Sequence, residues 1–411
     1  MKCKFCRTVI ENPVFNIGST AISNDLVSAD RLNESEKTYP LVLYVCPKCF
    51  LAQIERHKEG HEIFRDEYVY FSSYSSYWLE HAKKYVDNII DRLNLNKNSF
   101  VIEVASNDGY LLTNFVARGI KCLGIEPTYS TASEAIKNSV PTLIEFFNIE
   151  LTKKIIEDKG RSDLVIANNV LAHVPDINDF VASLKNILSG DGTITIEFPH
   201  LMHLLERNEF DTIYHEHFFY FSILSLIKIF PKHGLSIYDV EELETHGGSL
   251  RIYATHCGNA IDKGSDKKNV DRVLEKEVNC GLKSLDYYNK LRINSFNIKL
   301  NALQYLINNK LKGNTIIAFG AAAKGNTFLN YCGVKSDIID AVIDETPAKI
   351  GKYMPQSKIP ILPFSSINNL KPNIIIILPW NHQDEILEKL RFTKKWNCEI
   401  IVFIPKLEVL Q

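Results

Sequence analysis

Four consecutive titratable side chains, Tyr214, His215, Glu216 and His217, stand between apolar neighbours in the stretch Asp211-Thr-Ile-Tyr-His-Glu-His-Phe-Phe-Tyr-Phe221. Imidazole titrates near neutrality, so a histidine here can carry a proton to or from a reacting carbon or oxygen. The two histidines are two residues apart, which excludes the zinc-hydrolase pattern H-E-x-x-H. In an extended segment His215 and His217 face one way and Tyr214 and Glu216 the other; in a turn all four can converge. His173, in Asn168-Asn-Val-Leu-Ala-His-Val-Pro175, follows a separate strand and opens on the same edge. A solvated loop with one or two hydrogen-bonded core histidines is the plain alternative.

A second set of acids sits in apolar company. Glu103 lies inside Phe100-Val-Ile-Glu-Val104, where a carboxylate is costly to bury without a partner, so it is expected to face a site. That strand gives way to Ala105-Ser-Asn-Asp-Gly109 and then to the apolar run from Tyr110 to Val116: strand, tight turn, helix. Lys121-Cys-Leu-Gly-Ile-Glu-Pro127 reads as the next strand, and Glu126 at its end can accept hydrogen bonds from the hydroxyls of a ribose. Ala105 occupies the place of the first glycine of a dinucleotide fold, and no G-x-G-x-x-G follows. The pattern fits an adenosyl ligand without a pyrophosphate better than NAD.

Two C-x-x-C pairs, Cys3/Cys6 and Cys46/Cys49, can supply four thiolates to one tetrahedral Zn²⁺. Four soft ligands leave no position for a substrate, so the ion is expected to be structural. Nine cysteines, unevenly placed, do not make a disulfide framework. The formal net charge of −2 argues against a general nucleic-acid or membrane-surface binder. No signal peptide, long apolar run or lipidation motif is visible, so a cytoplasmic location is expected.

These residues need a scaffold, and the hydrophobic pattern supplies one. Alternating strand and helix patterns place strands at 100–105, 121–126, 142–146, 163–168 and 192–198. A strand pair at 235–241 and 249–255 follows an apolar helix near 222–232. The paired glycines in Thr245-His-Gly-Gly-Ser-Leu-Arg251 suggest a hairpin turn between the last two strands. This is an α/β fold with a mostly parallel, doubly wound sheet. Five segments are expected: a zinc-binding module (1–62), a helical lid or linker (63–98) with a helix over 78–93, the doubly wound domain (99–258), a polar helical connection (259–310) and a smaller α/β domain (311–411). In the last, strands are expected at 315–319, 338–343, 374–378 and 399–404. Its turn, Phe319-Gly-Ala-Ala-Ala-Lys-Gly-Asn-Thr327, offers a helix N-terminus and Lys324 to an anion such as a nucleotide diphosphate.

The chain resembles the bacterial sugar C-methyltransferases that act on nucleotide-linked 4-keto deoxysugars, in particular those methylating C3. The markers are Tyr70-Phe-Ser-Ser, Glu103-Val-Ala-Ser-Asn-Asp-Gly109, Gly124-Ile-Glu-Pro127, Asn169-Val-Leu-Ala-His173, Tyr214-His-Glu-His217 and His246-Gly-Gly-Ser-Leu-Arg251, together with the four cysteines. The resemblance implies a class I S-adenosylmethionine-dependent methyltransferase fold with an N-terminal zinc module and a second, smaller C-terminal α/β domain. It implies that His217 is the base, and that Tyr214, Glu216, His173 and Tyr70 line the catalytic site. Glu103, Ala105, Asn107, Gly109 and Tyr110 would bind S-adenosylmethionine with Glu126, Pro127, Asn168 and Asn169. Tyr68, His215, His246, Lys324 and Asn326 would meet the nucleotide-linked 4-keto sugar. Ala105 departs from the family, which usually has glycine there.

The expected reaction is removal of the proton beside the ketone by His217, leaving an enolate whose carbon takes the methyl group. A donor at the ketone oxygen, from Tyr214 or His173, would stabilise that charge by roughly 3 kcal/mol. Methyl transfer to a sugar oxygen, or non-catalytic sugar-nucleotide binding on the same fold, are the alternatives. Nucleic-acid and membrane partners are not expected.

Overall fold

The computed structural model describes residues 1–58, 60–63 and 71–411. Tyr68 and Tyr70 lie outside the described residues, as does the side chain of His246.

The amino-terminal module holds three strands of its own, β1 (Phe15–Thr20), β2 (Tyr39–Val45) and β3 (Ala52–Ile54). The helix Ser76–Leu93 follows, capped by Ser75, whose hydroxyl accepts from Trp78 N at 3.3 Å. Its buried face is Trp78, Ala82, Tyr85, Val86 and Ile89, at helical spacing, while Leu79 turns outward. Asn94, in the left-handed region at φ +52°, ends it.

The central strands are β4 (Phe100–Val104), β5 (Lys121–Ile125), β6 (Thr142–Leu143), β7 (Ser162–Ile166) and β8 (Leu188–Pro199). A short β9 (Phe219–Tyr220) precedes β10 (Leu235–Leu243) and β11 (Ser249–His256). Seven of these form one sheet in the order β10-β11-β8-β7-β4-β5-β6, with β4 to β8 parallel and β11 antiparallel to both its neighbours. Central strands such as Val101–Val104 are buried on both faces, as a parallel sheet between helices requires. Two expected boundaries shift. The edge strand β6 stops at Leu143, where the last ladder carbonyl accepts from Glu126 N, and Ile144 and Phe146 face solvent. At the other extreme, β8 starts four residues early and pairs with β7 across a bulge.

The last domain contains β12 (Ile316–Phe319), β13 (Ala341–Asp344), β14 (Ile361–Pro363), β15 (Ile374–Ile377), β16 (Glu399–Val402) and β17 (Glu408–Val409), ordered β14-β13-β12-β15-β16-β17. The strand expected from 338 starts only at Ala341. Ile338 and Ile339 close a turn on Lys335, and the Asp340 carboxylate takes Ile316 N–H.

The segments are not independent bodies. β9 leaves the central domain and pairs with β3, so the amino-terminal sheet reads β1-β2-β3-β9. One core joins Cys3, Cys46, Cys49 and Leu51 to Phe218, Phe219 and Phe221, and another joins Leu41, Phe210, Phe328 and Ile376 across all three domains. The pairing through β9 had no sequence signal, because two residues are too few to show a period. Among the described residues, no helix is long and apolar enough to cross a membrane.

Candidate active site

Both zinc knuckles are built alike. Arg7 N donates to Cys3 O at 3.0 Å and Phe50 N to Cys46 O at 2.9 Å, with Arg7 (φ +62°) and Phe50 (φ +61°) in the left-handed region. Each turn folds its two thiols toward the other pair. Cys3 and Cys49 sulfurs lie 3.6 Å apart, Cys6 and Cys46 3.5 Å, and all four fall within 4.8 Å of one another. A tetrahedral Zn²⁺ with bonds of about 2.3 Å sets its sulfurs about 3.8 Å apart, so the donors fit that ion. Gln53, fully buried, donates from Nε2 to Cys3 Sγ (3.3 Å) and accepts from Lys4 N (2.8 Å), and on β3 it sits opposite Phe219 of β9.

The turn expected to bind the cofactor leaves β4 with Ala105 at φ +57°, Asn107 at φ +50° and Gly109 at φ +78°. A Cβ on Gly109 would meet the side chains of Ala135 and Val140 at 3.0 Å, so glycine is required there. Glu126 accepts from Asn107 N (3.0 Å) and Thr128 N (2.9 Å), which ties the ends of β4 and β5 together. Asn107 and Asp108 accept from the backbone of Ser72 (2.9 Å) and Ser73 (3.0 Å), bringing the lid segment onto the turn. Tyr110 is buried against Trp78, and Pro127 follows Glu126 at the mouth. Glu103 Oε2, Ser106 Oγ, Asp108 Oδ1, Asn168 Oδ1 and both amide atoms of Asn169 are buried without a hydrogen-bond partner. Burial first, then Asp108 and Glu126, raise the Glu103 carboxyl well above its usual range. Such a cluster of unmet polar atoms in and just after β4 and β7 fits a polar, nucleoside-bearing ligand. A hollow of about 580 Å³ at the sheet's opposite edge, lined by Arg92, Asp163 and Tyr238 among others, contains no such atom.

Residues 214–217 form a turn, and it divides the four side chains. Tyr214 and His217 are half-buried and paired, Tyr214 Oη lying 2.7 Å from His217 Nε2. His217 Nδ1 lies 3.1 Å from the carbonyl oxygen of Thr212. A carbonyl only accepts, so Nδ1 carries a proton, and in the neutral imidazole Nε2 presents its lone pair to the Tyr214 hydroxyl. His173 stands edge-on to His217, ring centroids 4.7 Å apart, and donates from Nδ1 to Glu216 O at 2.8 Å. Burial lowers its pKa to about 4. A neutral His173 so oriented offers Nε2 as an acceptor, which leaves the Tyr214 hydroxyl as the donor beside His217.

His215 and Glu216 turn instead to the amino-terminal module. Asn24 Nδ2 lies 2.9 and 2.8 Å from the two Glu216 oxygens, and His215 Nε2 donates to Pro40 O at 3.2 Å. Burial raises Glu216 to about 7, against the hydrogen bonds from Asn24, and lowers His215 to about 4. Phe218 continues the clamp, its N–H on Ala172 O (2.7 Å) and its carbonyl receiving Ile54 N (3.0 Å).

Lys324 and Asn326 lie on the helix Ala323–Cys332, against the loop that leads into this turn. The Lys324 ammonium donates to Asn381 Oδ1 (2.7 Å) and lies 4.4 Å from the centre of the Trp380 ring. Burial lowers its pKa, opposed by Asp211 and Glu209. An anion there competes with both carboxylates. Asn326 is fully buried with neither amide atom partnered. Trp380 Nε1 donates to Asp211 Oδ2 at 2.9 Å, one residue before the carbonyl that holds His217. The hairpin tip beside His246 is pressed into the same junction: a Cβ on Gly247 would lie 2.5 Å from Glu209 Oε1 and 2.7 Å from the Trp380 ring.

Asn24, Asp211, Trp380 and Glu197 escaped the sequence reading. Glu197, on β8, accepts from Arg251 (2.7 Å), Thr245 (2.9 Å) and His81 (2.9 Å). Burial would raise it, but the His81 hydrogen bond and the Arg251 charge prevail and hold it at about 2. An acid inside Thr193-Ile-Thr-Ile-Glu-Phe was as visible a signal as Glu103.

Three family models match in succession: a zinc binding domain over residues 3–64, a methyltransferase domain over 78–240 and a C-methyltransferase C-terminal domain over 244–405. The C-methyltransferase NovU of Streptomyces niveus is 30% identical over 409 residues, covering 100% of this chain and 96% of NovU. The chain belongs to this C-methyltransferase family. It is an S-adenosylmethionine-dependent C-methyltransferase with a class I fold and a four-cysteine zinc-binding module. Among solved structures, an S-adenosylmethionine-dependent methyltransferase from Clostridium acetobutylicum is 13% identical with a TM-score of 0.36, covering 44% of this chain and 92% of that one. Magnesium protoporphyrin IX methyltransferase from Synechocystis is 16% identical with a TM-score of 0.33, covering 48% and 88%. Neither bears on the substrate of this methyltransferase.

Proposed function

We propose that this C-methyltransferase acts on a nucleotide-linked 4-keto deoxysugar, at the carbon beside the ketone, with His217 as the base. The observation that carries the reading is the tautomer: Thr212 holds the proton on Nδ1, so Nε2 is a basic lone pair beside the Tyr214 hydroxyl. A carbon next to a carbonyl becomes nucleophilic only as an enolate, so a C-methyltransferase for a ketone needs a base at that C–H. Positioned proton transfer of this kind contributes about 10²–10⁴-fold in rate.

When bound, S-adenosylmethionine supplies an electrophilic methyl group. The residues of this chain do the rest. Nε2 of His217 takes the ring proton. The Tyr214 O–H, which rests on that nitrogen in the free enzyme, donates to the ketone oxygen as charge builds there. Glu216 and His173 position the base; they meet no sugar atom in this reading, while His215 braces the turn. Glu103, Ser106, Asp108, Asn168 and Asn169 meet the polar groups of the cofactor. Asn326 and Lys324 are assigned to the diphosphate end, where Glu209 and Asp211, both with raised pKa values, can shed their charge. Tyr68, Tyr70 and His246 remain assigned to the sugar from the family resemblance.

Turnover with a ¹³C-methyl donor tests the reading. A new methyl carbon bonded to a ring carbon, by NMR of the product, is expected; a methoxyl resonance would favour the oxygen-methylating alternative. His217→Asn should abolish turnover and leave S-adenosylmethionine binding within about 3-fold of wild type.

A further inference from the structure

Glu197 holds two walls of the expected cofactor pocket at once. Thr195 pairs with Ile166 at the end of β7, so Glu197 stands level with Asn168, just beyond that strand. Its carbonyl oxygen accepts from Asn169 N at 2.7 Å and fixes the first wall, Asn168–Asn169. Its carboxylate is fully buried and reaches the other way, to the helix Ser76–Leu93, where His81 Nε2 lies 3.1 and 2.9 Å from the two oxygens. A carboxylate only accepts, so that nitrogen carries a hydrogen. Arg251 Nη2, 3.3 Å from the same nitrogen, donates to Glu197 at 2.7 Å, and the Thr245 hydroxyl donates at 2.9 Å. The carboxylate therefore keeps two donors, one of them charged, when His81 is removed.

The second wall is carried by the helix to which His81 belongs. Just ahead of its first turn, Ser72 N and Ser73 N donate to Asn107 Oδ1 (2.9 Å) and Asp108 Oδ2 (3.0 Å). Trp78, buried, stacks on the His81 ring with centroids 4.9 Å apart and planes at 21°, and its own ring lies 6.4 Å from that of Tyr110, the residue after Gly109. Tyr77, Leu79 and Glu80 face water, so the start of the helix is held from one side, where Trp78, His81 and Ala82 point. The His81 side chain is itself 18% exposed, at the rim of this contact.

We propose that His81 is a positioning residue for S-adenosylmethionine. Clasped to Glu197, it keeps the helix start, and with it Ser72 and Ser73, on the turn at Asn107 and Asp108. This role presupposes that Asp108 and Asn169 meet the cofactor, as proposed, and presupposes nothing about the sugar. Without the clasp the segment spends part of its time off the turn, and apparent affinity falls with the closed fraction. His217 is untouched, so the loss falls on KM for the cofactor and spares kcat.

Titration calorimetry of the zinc-loaded full chain with S-adenosylhomocysteine tests this, alongside steady-state kinetics. His81→Ala should raise Kd, and KM for S-adenosylmethionine, on the order of 10-fold, with kcat at saturating cofactor within about 2-fold of wild type. His81→Gln sets an amide nitrogen near the place of Nε2 and should restore Kd to within about 3-fold; His81→Asn, one methylene shorter, should not. A histidine that only stabilised the fold would shift the denaturant midpoint and would not separate Gln from Asn, a comparison that stands even where the alanine variant folds poorly. Asn169→Ala reports on the pocket itself and should also weaken binding. Unchanged Kd in His81→Ala beside a weakened Asn169→Ala overturns the clasp alone; unchanged Kd in both overturns the cofactor assignment with it. Rescue by Asn as complete as by Gln, or a fall in kcat with KM unmoved, also overturns the clasp.

Discussion

In the proposed mechanism His217 serves as a base only while its Nδ1 proton stays on the carbonyl of Thr212, so that role depends on a backbone group five residues earlier in the chain. Tyr214→Phe keeps the ring stack and removes the hydroxyl. It should lower kcat about 10²–10³-fold with little change in KM for either substrate, as expected of a group that acts on charge formed in the transition state. Ala105 is held at φ +57°, in the left-handed region that a Cβ penalises. Ala105→Gly should therefore stabilise the protein by about 1 kcal/mol, read as a shift in the denaturant midpoint. At this scale the sequence showed which residue types were gathered, including both acids of the cofactor turn and all four thiols. It could not show which side of the turn each of residues 214–217 takes. That is decided by Asn24 and Pro40, nearly two hundred positions earlier, and by the clamp of Phe218 between Ala172 and Ile54.

The turn is held by elements that belong to different parts of the chain. Gln53 joins Cys3 Sγ to strand β3, β3 pairs with β9, and β9 begins two residues after His217. Metal binding therefore contributes to the rigidity of the turn as well as to the module's own folding. Cys46→Ser should release zinc, measured by metal analysis, and lower the melting temperature. The folded fraction should still bind S-adenosylmethionine, whose proposed turn leaves β4. On the other flank, Glu197 binds His81 of the helix Ser76–Leu93 and Arg251 of β11 to β8. Breaking such a buried pair leaves the Arg251 guanidinium with Glu241 at 3.2 Å as its remaining carboxylate, so Glu197→Gln should cost about 3 kcal/mol in chemical denaturation. Strands and helices of the two doubly wound sheets were legible because their apolar runs are long and regularly spaced. β9, two residues long, and the late start of β13 were not, because pairing and turn closure rather than pattern fix them.

Across the whole molecule, Trp380 of the carboxyl-terminal domain donates to Asp211, the residue before the Thr212 carbonyl that holds His217. Trp380→Phe should lower kcat while leaving metal content and cofactor affinity unchanged, which separates loss of positioning from loss of fold. With Lys324 assigned to the diphosphate as proposed, substrate affinity should depend on pH. Burial, aided by Asp211, raises Glu209 to about 8 against the pull of Lys324. Below that pH Glu209 is neutral and the Lys324 charge is available to a diphosphate; above it the carboxylate neutralises the lysine. KM for the sugar nucleotide should accordingly rise as pH passes about 8, and Glu209→Gln should remove the rise. The strand runs of both doubly wound sheets were visible in the sequence, but the shared cores were not, since no local pattern records that Leu41, Phe210 and Phe328 meet. The central claim, a ring proton lifted by His217 before any methyl moves, is tested by incubating the enzyme with the 4-keto sugar nucleotide in D₂O, with S-adenosylhomocysteine in place of the methyl donor, and following the proton beside the ketone by NMR. Wild type should exchange it for deuterium and His217→Asn should not; exchange at the wild-type rate in His217→Asn, or none in either, would contradict the account.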